Sequence, residues 1–215
     1  MKGSNRNTYG AGLTLDYRIG KIQLLNRLDF DVMNSNELPG QNFSSYSHLQ
    51  PYYEPTDPVT GKYVRSLPMW GAMKAPDNPL YEETYMNSFS INSYNEISNK
   101  LSLNFFATKD LTAKIQFSLN KKFDEGRTFI DPASNTFSST SDPRQIGSLT
   151  TSQGDYFSYD LNALLLYNKS IGKHYINVTT GAELIQTKIQ NVAASYTGFP
   201  SGTLNSVNNA MQILS

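Results

Sequence analysis

Long alternating segments come in pairs, joined closely at one end and by long polar stretches at the other, and this asymmetry constrains the fold more than any other feature of the chain. Thr8–Arg18 and Lys21–Met33 meet at Ile19-Gly20. Ile91–Ala107 and Leu111–Phe123 meet at Thr108-Lys109-Asp110, and Tyr156–Lys169 and His174–Gln190 meet at Ser170-Ile171-Gly172-Lys173. The polar stretches 34–90, 124–155 and 191–215 are read as loops. The first two far exceed the roughly 12–15 residues at which structureless connections become uncommon in compact domains. Short turns on one rim and long loops on the other are the pattern of an outer-membrane β-barrel. The expected fold is therefore all-β: an antiparallel transmembrane β-barrel segment of about six long strands, with short periplasmic turns and long extracellular loops.

Within each pair the side chains alternate with a period of two, as a sheet with two different faces requires. Ala11, Leu13, Leu15 and Tyr17 share one face, with Gly12, Thr14, Asp16 and Arg18 on the other. Ile22, Leu24, Leu28, Phe30 and Val32 repeat the pattern, and Leu25 and Asn26 break it. The cleanest run is Leu101, Leu103, Phe105 followed by Leu111, Ala113, Ile115, Phe117 and Leu119. In the third pair Tyr159, Leu161, Ala163, Leu165 and Tyr167 continue the apolar face, while Leu164 and Leu166 interrupt the polar one and suggest a partly packed interior. Spacing by two puts such residues on opposite sides of a helix, and the threonines, tyrosines and isoleucines favour strand. A tilted membrane strand needs about 9–11 residues, against 5–6 in ordinary domains, and these segments reach that length.

Composition fits a wall that is apolar on one side only. The chain is 38% hydrophobic with a mean hydropathy of -0.46, and its longest unbroken apolar stretch, Ala163–Leu166, is far too short for a membrane helix. Tyr 14 and Phe 11 against Trp 1 is an aromatic-rich balance suited to interfacial girdles. The absence of cysteine excludes disulfides and thiolate metal sites, and a net charge of +0 without a basic stripe argues against nucleic acid. Met1–Arg6 runs into strand pattern without an apolar leader, and Asn209–Ser215 lies in a Gly/Ser/Asn-rich stretch with no closing strand. The chain is thus expected to be an internal stretch, residues 1–215 forming part of a larger barrel.

Four short motifs carry a family resemblance. Asp77-Asn78-Pro79-Leu80-Tyr81, the Ser88–Asn99 run into a long strand, Thr108-Lys109-Asp110-Leu111, and Phe129-Ile130-Asp131-Pro132-Ala133-Ser134 together resemble the SusC/RagA family of TonB-dependent outer-membrane transporters in order and spacing. The resemblance implies import of oligosaccharides or peptides, a SusD-like surface lipoprotein closing over the mouth, and energy delivered through TonB by regions this stretch does not include. No cofactor, metal or catalysis is expected from the residues present. The loops would face ligand. Tyr52, Tyr53, Tyr63, Trp70, Tyr81 and Tyr85 offer stacking surfaces, Trp70 the largest, and Asn78, Arg127, Asp131 and Arg144 offer orienting hydrogen bonds. For each, packing within the loop or against the lipoprotein is the competing role.

Other chemistry is weakly represented. Asp29 and Asp31 read as a polar wall paired with Arg27 or Arg18. His48 and His174 have no metal-ligand spacing, Asp124-Glu125 beside Lys121-Lys122 reads as a solvated rim, and no Ser/His/Asp grouping suggests an enzyme. The alternative to an importer is a non-transporting surface protein, an adhesin or carbohydrate-binding β-sandwich, whose apolar faces would meet inside.

Overall fold

The computed structural model describes residues 4–39, 46, 53–67 and 76–214. They form a single antiparallel meander in which every strand pairs with its neighbours in sequence. The strands are β1 (Asn5–Ile19), β2 (Ile22–Glu37), β3 (Phe89–Phe106), β4 (Leu111–Ile130), β5 (Ser148–Ile171), β6 (His174–Thr197) and the short β7 (Gln212–Leu214), and the helix α1 (Pro79–Tyr85) lies between β2 and β3. β1 is free along one edge, and β6 is covered by β7 only at Ser195–Thr197.

The tight connections behave as their residues dictate. Gly20 and Gly172 take positive φ of 55° and 60°, a region side chains with a Cβ avoid. At the β3–β4 turn the Thr108 hydroxyl accepts from the amides of Asp110 (3.2 Å) and Leu111 (3.0 Å). The turns are also tied together: Lys21 Nζ donates to the Ala107 carbonyl at 2.7 Å, and the Asn168 amide to the Asp110 carbonyl at 2.7 Å.

Register fixes the faces, because residues directly opposite one another point the same way. The rows Tyr17–Leu24–Leu103–Ile115–Ala163–Ala182 and Leu15–Asn26–Leu101–Phe117–Leu161–Leu184 run unbroken from β1 to β6. Leu13, Leu103, Ile115, Leu165 and Val178 lie on this apolar face, and all are exposed, Leu13 at 69% and Val178 at 51%. No second layer covers it among the described residues. A sandwich needs the apolar faces to meet, and among the described residues they do not.

The exceptions in the alternation resolve locally. Leu25 stands on the polar face, opposite Asp16 and Ser102. Asn26 and Asn99 stand on the apolar face, where each amide donates to the other's carbonyl oxygen, at 3.2 and 3.3 Å, so neither is left unpaired.

Strand number and loop bounds differ from expectation. The described residues form seven strands rather than six, and the stretch 124–155 contributes strand at both ends, leaving 131–147 as connection. Likewise 191–197 belongs to β6 and 212–214 to β7. Beyond the apolar region both faces carry polar residues, so alternation disappears, yet the backbone ladder continues regardless of side chain. Ser90 and Thr128, hydroxyls 2.9 Å apart, are such a pair.

The buried core sits at the loop end. Phe89, Phe129, Leu149 and Tyr196 form one cross-strand row, and Phe199 and Ala210, from the segment after β6, pack over it. Phe129 stacks on Phe89 at 5.7 Å and meets Phe199 edge-on at 5.3 Å.

Candidate functional site

The rim is built from the connections at the long-loop end. In the first, the Asp57 carboxylate accepts from the amides of Val59 and Thr60 at 2.9 and 2.7 Å, and these bonds hold it below the usual carboxylate range. Asn78 is fully buried; its side-chain oxygen caps α1 through the Leu80 amide at 3.1 Å, and its Nδ2 donates to the carbonyls of Pro55 (2.9 Å) and Val64 (2.7 Å). Pro79 follows at the first helical position, where its missing N–H costs nothing. Tyr81 packs on Tyr85 at 5.0 Å, and Tyr85 meets Tyr63 at 6.5 Å. Burial and the Glu83 carboxylate push the Tyr46 hydroxyl up to about 12.

This connection locks onto the next. Arg65 donates to Asn135 Oδ1 and to the carbonyls of Ala133 (3.1 Å) and Ser134 (3.4 Å), while the Asn135 amide donates to Glu82 Oε1 at 2.6 Å. Asp131, 3% exposed, accepts from the amides of Asn87 (2.8 Å) and Ala133 (2.9 Å). Its carboxylate also lies over Gly202, where a Cβ would fall 1.8 Å from Oδ2. One buried carboxylate therefore holds three segments of the rim against each other.

Of the residues singled out in the sequence, Asn78, Tyr81 and Asp131 belong to this network, the first and last as its internal bracing. Arg127 is not in a loop. It lies in β4 on the apolar-face side, over the Phe89 ring at 5.4 Å, and donates to the Asn205 carbonyl at 2.6 Å. Arg144 is paired with Asp142 at 3.0 Å, and their contact raises the one and lowers the other. Trp70, Tyr52 and His48 lie outside the described residues.

The polar face carries its own charge pattern. Arg27 pairs with Asp29 at 2.7 Å, as the spacing suggested. Gly10 and Gly12 leave room for the carboxylates of Asp31 and Asp29 to lie across β1. Asp31 stands opposite Glu96, and Glu96 opposite Lys122. A cavity of about 380 Å³ opens here, lined by Glu96, Asn120, Lys122, Asp124, Tyr156 and Ile189. Asn120 Nδ2 donates to Glu96 Oε1 at 2.7 Å, and Lys122 sits over the Tyr94 ring at 4.9 Å. The Oδ1 atoms of Asn120, Asp160 and Asn162 are covered and have no protein partner among the described residues. This group was missed in the sequence because its members lie on four strands. Knowing the β3–β4 and β4–β5 registers would have found it. No group of three metal-binding side chains occurs among the described residues.

The apolar face is bounded by charge. From Leu111 to Leu119 on β4, Phe157 to Tyr167 on β5 and Ile176 to Gln186 on β6 it carries none. Lys121, bonded to Asp155, and Lys188 stand at the loop-end border, and Lys169, 4.0 Å from Asp110, at the turn-end border.

Comparison with solved structures gives the same fold. The RagAB peptide importer in its closed-closed state matches with a TM-score of 0.67 at 18% identity, over 98% of this chain and 24% of that one. The open-open state matches at 0.67 and 19%, over 97% and 23%. The chain therefore shares its fold with about a quarter of the length of the solved chains it matches. No family model matches the sequence, and no curated protein does.

Proposed function

We propose that this chain is a wall segment of a SusC/RagA-type outer-membrane importer, its apolar face against lipid and its polar face lining the interior. One observation carries the reading: a single sheet with an uncharged apolar band about 10 residues long on β4, β5 and β6, uncovered among the described residues, the length a tilted strand needs to cross a bilayer. The free edges of β1 and β6 would pair with further strands of a closed barrel, since no open edge survives in hydrocarbon. The shared fold with the RagAB peptide importer supports it.

In this reading the tied turns face the periplasm and the rim faces outward, toward a SusD-like lipoprotein, while TonB acts through parts of the protein beyond this stretch. Trp70 and Tyr81 are the proposed contacts to ligand or lipoprotein. Asn78 and Asp131 keep the rim in shape for them, and Arg127 acts on the outer side. The interior wall favours peptide over neutral oligosaccharide as cargo. Alternating charges at Arg27, Asp29, Glu96, Lys122 and Asp124 match a ligand with both ammonium and carboxylate groups better than one with hydroxyls alone.

Topology tests the proposal. In the full-length protein, Thr60→Cys and Ser139→Cys should react with a membrane-impermeant maleimide on intact cells, and Lys109→Cys only after the outer membrane is permeabilised. The reverse pattern overturns it.

A further inference from the structure

A second cavity lies away from the polar face. It is an open groove of about 620 Å³ whose lining includes Ile91, Ser93, Arg127, Thr151, Gln153 and Tyr196. By register these side chains stand on the same face as the apolar band. Lys121, at the band's border, and Arg127, in the groove, are both on β4 and six positions apart. At about 3.3 Å per residue that is about 20 Å along the strand. On the proposed topology the groove therefore opens sideways above the membrane surface, away from the transport path.

We propose that the groove binds carbohydrate, and that its occupant is the core sugar chain of lipopolysaccharide anchored in the surrounding outer leaflet. The lining has the composition sugar recognition requires. Tyr196, braced against Phe129 and Leu149 by the rim core, offers a rigid apolar wall. Arg127 is pre-set by Phe89 and by its bond to the Asn205 carbonyl, which leaves other guanidinium N–H groups to donate. Ser93, Thr151 and Gln153 add hydroxyls and an amide, and Glu125, 3.4 Å from Gln153 Nε2, adds an acceptor. Continuity with the lipid-facing band selects the source: a glycan carried on a lipid beside the wall is delivered at this height and face, whereas interior cargo is not. The inference rests on the topology proposed above and goes beyond transport, to how the wall is seated among its lipids.

The test uses the full-length protein in detergent, with bound lipid counted by native mass spectrometry. Core-bearing lipopolysaccharide should be retained about tenfold better than lipid A lacking core sugars, the worth of one charge-assisted hydrogen bond. Arg127→Gln should reduce that preference. Ala194→Trp, which adds bulk to the groove from β6, should abolish it, and both variants should keep the wild-type labelling at Thr60→Cys. Equal retention of the two lipids by the wild type, or an undiminished preference in Ala194→Trp, overturns the proposal. Free core sugar binding as tightly as the lipid-linked form also overturns it, because the tether should raise effective concentration. If labelling at Thr60→Cys holds while the preference is absent, only the groove assignment falls; if the labelling inverts, the topology falls with it.

Discussion

Two stretches of the same sheet face meet opposite fates. In the band, Leu103 and Ile115 project from β3 and β4 and stay exposed; further along the same two strands, Phe89 and Phe129 project from the same side, and Phe129 is wholly buried. Strand geometry does not distinguish them. The difference is what lies above: the segment after β6 brings Phe199 and Ala210 over the rim row, and nothing covers the band among the described residues. Apolar character thus has two uses in one sheet. It makes a small protein core where a loop folds back, and an exposed band, the proposed lipid surface, where none does.

The largest effect should come from the rim. Phe129→Ala removes a side chain packed on two sides, and an aromatic deletion of this kind costs about 3–5 kcal/mol. The loss should be local. Proteolysis of intact cells should cut the 131–147 and 198–211 connections, while the proposed barrel keeps its resistance to unfolding in detergent. A barrel that falls apart as a whole would mean that rim and band are one cooperative unit.

The band is probed by contrast across a single residue step. Leu103→Arg should impair assembly by about 2–4 kcal/mol if it sits near the bilayer midplane, whereas Asn104→Arg, on the opposite face, should cost far less. Equal losses in the amount of folded protein recovered from outer membranes would erase the distinction between lipid and interior faces.

The smallest effect separates the exposed tip of the rim from its buried part. Asp57 is held below its unfolded pKa, so its contribution to the Val59–Thr60 turn is present above that value and is lost as the pH falls through the lowered one. The amide resonances of Val59 and Thr60 should titrate with a midpoint below the ordinary carboxylate value near 3.9. A midpoint at or above that value would show that the turn does not hold the carboxylate in solution.

The two regions were not equally legible. Band strands could be read because one face is apolar and the other polar, which sets a period of two on Leu101, Leu103 and Phe105 and on Ala113, Ile115 and Phe117. Phe129 and Leu149 carry no such period, with Thr128, Ile130 and Ser148 around them, so their strands were taken for loop. Asn78, Tyr81 and Asp131 stood out as motif residues, but nothing local revealed that Asn78 and Asp131 are spent on backbone amides and carbonyls of their own rim. Arg127 looked like a loop donor because β4 was expected to end at Phe123; one more turn of the ladder puts it on the outer side of the wall.

The sequence by itself determined the all-β class, the pairing of neighbouring strands, the end at which the short turns lie and the face each band residue takes. These follow from local physics: the period of the side chains, the positive φ that Gly20 and Gly172 allow, and the shortness of the connections. Tertiary structure alone decided which apolar residues are covered, how far the strands run past the band, and which charges meet on the polar face. Those outcomes depend on contacts between residues tens of positions apart, such as Asp131 with Asn87 and Gly202, or Glu96 with Lys122 across the β3–β4 ladder. No periodicity encodes them, because they exist only once the registers are set.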